Sequence, residues 1–87
     1  EFRSNEINLS LYPNPARDQF KVQYSLKQNK NATLELYDAI GNKLNTIGLN
    51  NKKGIISVPV SQLRGGIYYF RIVNGNEVSE TSKFIKY

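Results

Sequence analysis

Two of the side chains that most often do chemistry are missing from this 87-residue chain, which has no cysteine and no histidine. Their absence removes thiolate nucleophiles, disulfides, zinc–thiolate sites, the usual general base and the commonest transition-metal ligand. The redox compartment is left open. The acidic residues number seven and are scattered among turns and exposed strand positions. Glu77 with Glu80, and Glu35 with Asp38, are close in sequence, and both pairs read as ordinary solvated carboxylates. A calcium ion needs several converging oxygens; Asp38 with Asn42 supplies too few, although loop carbonyls could add to them. Gly65-Gly66 and Gly75 fit no phosphate-cradling glycine pattern. The expectation is a protein that is not an enzyme and has no metal site or cofactor.

What remains is a surface that could bind. Six tyrosines accompany a net charge of +5. Tyr37, Tyr69 and Arg71 could share an outer face and stack against sugar rings or unpaired bases. The plainer reading is packing, because tyrosine is a good strand former with an apolar body and a polar tip. A positive domain can attract nucleic acid, lipopolysaccharide or acidic proteins. Its cations are dispersed, however, with Lys27/Lys30, Lys52-Lys53 and Lys83/Lys86 as the densest groups. Dispersed lysines mostly form solvated faces and guard strand edges.

The elements that would position these residues follow from a period of two. Ile7, Leu9 and Leu11 alternate with polar residues, as do Phe20, Val22 and Tyr24; Ala32, Leu34 and Leu36; Ile56, Val58 and Val60; and Tyr68, Phe70 and Ile72. Leu44 to Ile47 is a weaker run, and Val78 to Ile85 a polar one. Such alternation marks half-buried strands, and no stretch carries a helical stripe. Turn residues separate the runs in "KQNKN", "DAIGN", "GLNNKKG", "SQLRGG" and "NGNE". About seven short strands in one domain predict an all-β sandwich, with a small barrel as the competitor. Pro59 lacks an N–H, so its strand lies at an edge or turns that position to solvent. No apolar run approaches the ~18 residues of a membrane span, and no signal peptide is visible. Glu1-Phe2 reads as a cloning remnant, making 1–6 the remnant and a linker or cleavage region and 7–87 the folded domain.

Three local readings go further. In "YPNPA" (12–16) neither proline can donate to a ladder, and each pushes the residue before it into extended backbone. Tyr12 and Asn14 are therefore extended, and the segment is a strand-ending corner. Asp38-Ala39-Ile40-Gly41 has the chemistry of a type I turn followed by a left-handed residue in a hairpin. Around Asn74-Gly75-Asn76 the register is ambiguous. A three-residue loop keeps Ile72 and Val78 on one face and is favoured here; a two-residue loop centred on Gly75-Asn76 pairs Arg71 with Glu80.

Taken in order, "YPNPA" (12–16), "LYDAIGNKL" (36–44), "LRGGIYYFRI" (63–72) and the basic "KFIKY" (83–87) resemble the C-terminal sorting domain of type IX secretion cargo. The family so resembled is the type A Por secretion system tail domain of Bacteroidota. Leu63, Gly66 and Tyr68 match its L-x-x-G-x-Y pattern, and Asp38 with Gly41 matches its hairpin turn. The resemblance covers about residues 7 to 87. It departs from the family pattern in a polar last strand ("SETS") and in the tyrosine after Lys86. The resemblance implies an immunoglobulin-like sandwich that acts as a secretion signal. Exported cargo would pass through the periplasm and be directed by this tail through the outer-membrane translocon. A sortase would then remove the tail, for release or attachment to the cell surface. The implied partners are an outer-membrane shuttle protein, the translocon and the sortase, with no nucleic acid and no direct membrane insertion.

On that basis Pro13, Asn14, Pro15, Gly66, Tyr68, Lys83 and Lys86 are the recognition candidates, with Asp38 and Gly41 as turn residues. Gly66 lets the chain bend or permits close backbone approach. Tyr68 is placed in the core. Lys83 and Lys86 sit on a terminal strand whose exposed edge suits strand addition or charge pairing. The alternative function is a carbohydrate-binding sandwich appended to a secreted enzyme; single-stranded nucleic-acid binding is a weaker third.

Overall fold

Alternating side chains make each strand a two-faced ribbon, and two sheets of such ribbons close on one another in the computed structural model. It describes residues 2–3 and 6–87. The strands are β1 (Phe2–Arg3), β2 (Ile7–Tyr12), β3 (Gln19–Leu26), β4 (Thr33–Asp38), β5 (Lys43–Gly48), β6 (Lys53–Pro59), β7 (Gly66–Asn74), β8 (Glu77–Val78) and β9 (Ser82–Lys86). Six of them are the predicted runs; the polar run from Val78 to Ile85 is split, its start falling in the two-residue β8 and its end in β9, and β1 is a two-residue addition. The larger sheet runs β1-β8-β7-β4-β5, with β9 also on β7; the smaller runs β2-β3-β6. All pairings are antiparallel except β1 with β8. The architecture is an immunoglobulin-like β-sandwich.

The inner faces are the predicted alternating sets. Phe20, Val22 and Tyr24 of β3 and Val58 of β6 face Leu34 and Leu36 of β4, Phe70 and Ile72 of β7 and Phe84 of β9, all of them buried. Phe20 crosses between the sheets. Its ring lies 4.5 Å from Phe70, edge to face, and 4.0 Å from Phe84, tilted. Full burial of such a side chain stabilises by about 1.5–3 kcal/mol, and ring pairs add about 0.5–1.5 kcal/mol.

The hairpins follow local chemistry, with one correction. The Asp38 carbonyl accepts from Gly41 N at 3.1 Å, and Asp38 Oδ1 accepts from Ile40 N and Asn42 N at 3.1 and 2.8 Å. Gly41 takes φ +94°, which a side chain would strain. Leu44 is left unpaired as a bulge, since Leu36 faces Asn45 while Tyr37 faces Lys43. The β7–β8 hairpin does not have the favoured three-residue loop. Asn74 pairs with Glu77 and Val73 with Val78, so Gly75-Asn76 is a two-residue loop with Gly75 at φ +63°. The reason is polar. Asn74 is buried, accepting from Lys30 N at 2.7 Å and donating to Gln28 O at 2.6 Å. Ser79, not Val78, faces Ile72 and accepts from its N–H through Oγ at 2.8 Å.

Two edge readings can be placed. Leu26 N donates to Lys52 O and Val60 N to Asp18 O. The even-numbered residues of β6 therefore bond to β3, and Pro59 points its missing N–H outward on an edge strand. Of segment 1–6, Phe2 and Arg3 pair with β8, and Glu6 meets Lys27 at 3.6 Å. Glu1, Ser4 and Asn5 lie outside the described residues.

Glu35 is not the solvated carboxylate expected. It is buried on the outward side of β4. Its Oε1 accepts from Tyr37 Oη at 2.5 Å and Arg71 Nε at 2.9 Å, and its Oε2 lies 3.0 Å from Lys43 Nζ. Arg71 also stacks over the Tyr37 ring at 5.4 Å. One carboxylate thus ties β5, β4 and β7 together. Burial alone would raise its pKa; the Tyr37 hydroxyl, Lys43 and Arg71 outweigh burial and hold it down at about 2. Because the folded pKa lies below the unfolded one, this stabilisation is complete above the ordinary carboxyl range and is lost as pH falls toward 2. Thermal melts from neutral pH to pH 2 should show a loss on the order of 2–3 kcal/mol from this group. Glu35→Gln should be less stable at neutral pH and should flatten the profile between pH 4.5 and pH 2.

Candidate functional site

The corner at Tyr12–Ala16 carries the chain from one sheet to the other. Leaving β2 on the smaller sheet, it passes two cis peptide bonds, Tyr12-Pro13 and Asn14-Pro15, and reaches β9 of the larger sheet. Neither proline has an N–H to offer, so the Asn14 side chain makes the contact. A primary amide carries a carbonyl acceptor and an N–H donor on one plate, as a peptide group does. Asn14 Oδ1 accepts from Ile85 N at 3.0 Å, and Nδ2 donates to Lys83 O at 3.1 Å. Ala16 continues the pairing: its N–H donates to Ile85 O and its carbonyl accepts from Tyr87 N, both at 3.0 Å. Ala16 itself is buried, in a parallel bridge with Lys86. The outward edge of β9 from Lys83 O to Tyr87 N is therefore occupied.

The other side of β9 is held by the start of β7, and two adjacent glycines there have different jobs. A Cβ on Gly65 would stand 3.1 Å from the Tyr87 carbonyl carbon and 3.4 Å from Lys86 O, so that glycine permits close approach. Gly66, opposite Lys86, takes φ +154°, which side chains rarely adopt. Two residues on, the Tyr68 hydroxyl donates back to Arg64 O at 2.6 Å, closing the Leu63–Tyr68 turn as a tyrosine corner does in other sandwiches. Its ring, 6.4 Å from Phe84, is buried. Arg17 completes the fastening, its guanidinium 5.5 Å from the Tyr87 ring centre.

The four motif segments thus converge at one end of the sandwich. Asp38 pairs with Tyr68, and Ile40 of the hairpin turn lines a cleft with Gly66 and Ile67. Pro13, Asn14, Pro15 and Lys83 are exposed there. Two expectations need correction. The β9 edge is not open to strand addition, because Asn14 and Ala16 fill it. Lys86 is not a surface residue: it is 8 % exposed, its stem lies on Phe84's side of the strand, and Nζ donates to Tyr87 O at 2.8 Å. Tyr37, Tyr69 and Arg71 do share the outer face, in register across β4 and β7, but Tyr37 and Arg71 are committed to Glu35. Ala16, Arg17 and Gly65 were missed; the doubled glycine was the one local signal for any of them. Among the described residues no group of acidic residues converges as a metal site.

This end yields two expectations. Asn14→Asp keeps the acceptor toward Ile85 N but sets a carboxylate oxygen against Lys83 O. Urea titration should show a loss of about 1 kcal/mol at neutral pH, with the deficit relative to wild type shrinking in acid, where the protonated carboxyl can donate again. Tyr68→Phe deletes the bond to Arg64 O and should also lower stability by about 1 kcal/mol.

The description "Secretion system C-terminal sorting domain" belongs to the family model that matches residues 10–87. No curated protein sequence matches the chain. Among solved structures it is similar to dimeric latent PorU from Porphyromonas gingivalis, with a TM-score of 0.82 and 19 % identity over 92 % of this chain and 9 % of that one. It is also similar to PorZ, a surface component of the type IX secretion system of that bacterium, at 0.70 and 14 % over 92 % of this chain and 11 % of that one. A weaker likeness, 0.50 at 10 % identity over 98 % of this chain and 82 % of that one, is to the sulfur carrier SoxY of Chlorobium limicola f thiosulfatophilum. At these identities the structural likeness concerns the fold, and the chain spans about a tenth of PorU and of PorZ. The family match covers most of the chain, and Asn14, Ala16, Gly65, Tyr68 and Tyr87, which fasten the corner and the last strand, fall within it. The chain belongs to the secretion system C-terminal sorting domain family, the Por secretion tails of the type IX system.

Proposed function

We propose that residues 7–87 are a non-catalytic signal that directs a cargo protein through the outer-membrane type IX translocon. The observation that carries this reading is the family match over residues 10–87. It is supported by a site end built from backbone surrogates, glycines and buried rings: Asn14 and Ala16 pair with β9, Gly65 packs against the Tyr87 backbone, and Tyr68 is held by Arg64 O. In this reading an outer-membrane shuttle protein receives the domain, and a sortase cuts before β2 to release the cargo or attach it at the cell surface. The exposed candidates, Pro13, Asn14, Pro15 and Lys83, are available to a partner. Gly66, Tyr68 and Lys86 hold the shape that presents them.

Fusion of residues 1–87 behind a signal peptide and a fluorescent reporter, in a host with the type IX machinery, tests the proposal. The reporter should reach the cell surface or medium with the domain removed. Periplasmic retention of an uncut, folded fusion would count against it.

A further inference from the structure

Strand edges are the usual place for one β-protein to seize another, and three of this sandwich's edges are blunted. Asn14 and Ala16 fill the outer side of β9. On β5, Leu49 N bonds to Ala32 O, so the Thr46 amide three pairs on points away from β4, and Asn45 Oδ1 accepts from it at 2.8 Å. On β6, Pro59 has no amide to offer and Lys53 places a charge on the edge. What this end leaves open is a face.

On the outer side of the larger sheet Ile67 and Ile85 stand directly opposite each other, 43 % and 39 % exposed. Ile40, at the tip of the β4–β5 hairpin, is 84 % exposed; the turn is closed by Asp38 and Gly41 and does not need an isoleucine there. Ile40 lines two adjoining clefts, one with Ile67 and one of about 430 Å³ with Tyr37 and Tyr69. Beside Tyr69, in register, is Lys83, which is exposed and has no carboxylate partner among the described residues. The nearby acids are committed: Asp38 to its own turn and Glu35 to Tyr37, Lys43 and Arg71. The strip is thus apolar with an uncompensated cation, on a domain of net charge +5. By contrast, the exposed Ile55 on the opposite face stands among Asn8, Ser10, Gln23 and Ser25, the isolated kind of exposed apolar residue that needs no explanation.

We infer that Ile40, Ile67, Ile85 and Lys83 form a docking strip for a protein surface that presents apolar side chains flanked by carboxylates. Recognition runs through side chains on the face, not through strand addition. The inference rests on the sorting reading, since it places this partner in the secretion machinery.

The test uses the same reporter fusion with Ile40→Asn/Lys83→Glu, Ile40→Asn alone, Lys83→Arg and the control Ile55→Asn. Thermal melts of the purified fusions serve as the check on folding. The double variant should melt as wild type does and lose export at least tenfold. Ile40→Asn should lose several-fold, Lys83→Arg, which keeps the charge, should lose less than the double variant, and Ile55→Asn should be exported normally. Because Ile40 is mostly solvent-exposed, its single variant decides the matter if the double variant is unstable. Wild-type export of the Ile40→Asn variant, or an equal loss in the Ile55→Asn control, overturns the strip. If the unmodified fusion itself stays in the periplasm, the sorting reading fails instead.

Discussion

Burial of Phe84 against Phe20 and Phe70 decides where β9 lies, and the rest of the motif end answers to that placement. A strand whose inner side chain is fully buried cannot slip by one residue without turning that side chain out to water. Once its register is set, its backbone donors and acceptors need partners on both sides. β7 supplies one side, which forces the chain to enter β7 beside the Tyr87 backbone. Gly65 has no Cβ to collide there, and Gly66 adopts the backbone angle that turns the chain into the strand. The other side falls to a segment arriving from the opposite sheet. Its prolines cannot pair, so one amide side chain and one alanine do the pairing.

The residues that carry the family resemblance are therefore mostly architectural. Tyr68 is held by Arg64 O, Asp38 by its own turn, Asn14 by Lys83 and Ile85, and Lys86 by Tyr87. Each already has its partner within the chain. What such motifs specify is a shape, in which the chain's switch between sheets is locked to the last strand. A partner that reads this end meets the residues the lock presents: the proline corner, Lys83 and the isoleucines of the outer face.

The strands were legible because burial of one face is recorded locally, at every second residue. Phe20, Val22 and Tyr24 needed no knowledge of the rest of the fold, nor did Tyr68, Phe70 and Ile72. The Asp38 turn was legible for the same reason, since all its bonds lie within five residues. Pairings were not local. Glu35 meets Arg71 across 36 positions and Asn14 meets Ile85 across 71, and nothing in either neighbourhood names its partner. Hence Glu35 read as solvated and the β9 edge as open. The β7–β8 register failed differently. The expectation weighed Val78 against burial and overlooked that Asn74 and Ser79 could be the buried pair, each satisfied by the backbone.

Three asparagines share one device, and it explains how a small chain without disulfides fixes its irregular segments. Asn14 fastens the corner to β9. At the other end of the sandwich Asn29 donates to Leu49 O and Asn51 O while accepting from Ala32 N. Asn74 bonds Lys30 N and Gln28 O. In each case a neutral amide replaces a peptide group of a missing strand. An ion pair at the exposed Asn14 joint would weaken with salt, and disulfides would depend on the redox compartment. Amide bonds depend on neither. Fastening its loops with amides keeps the surface this domain presents independent of the salt and redox state of the medium around it.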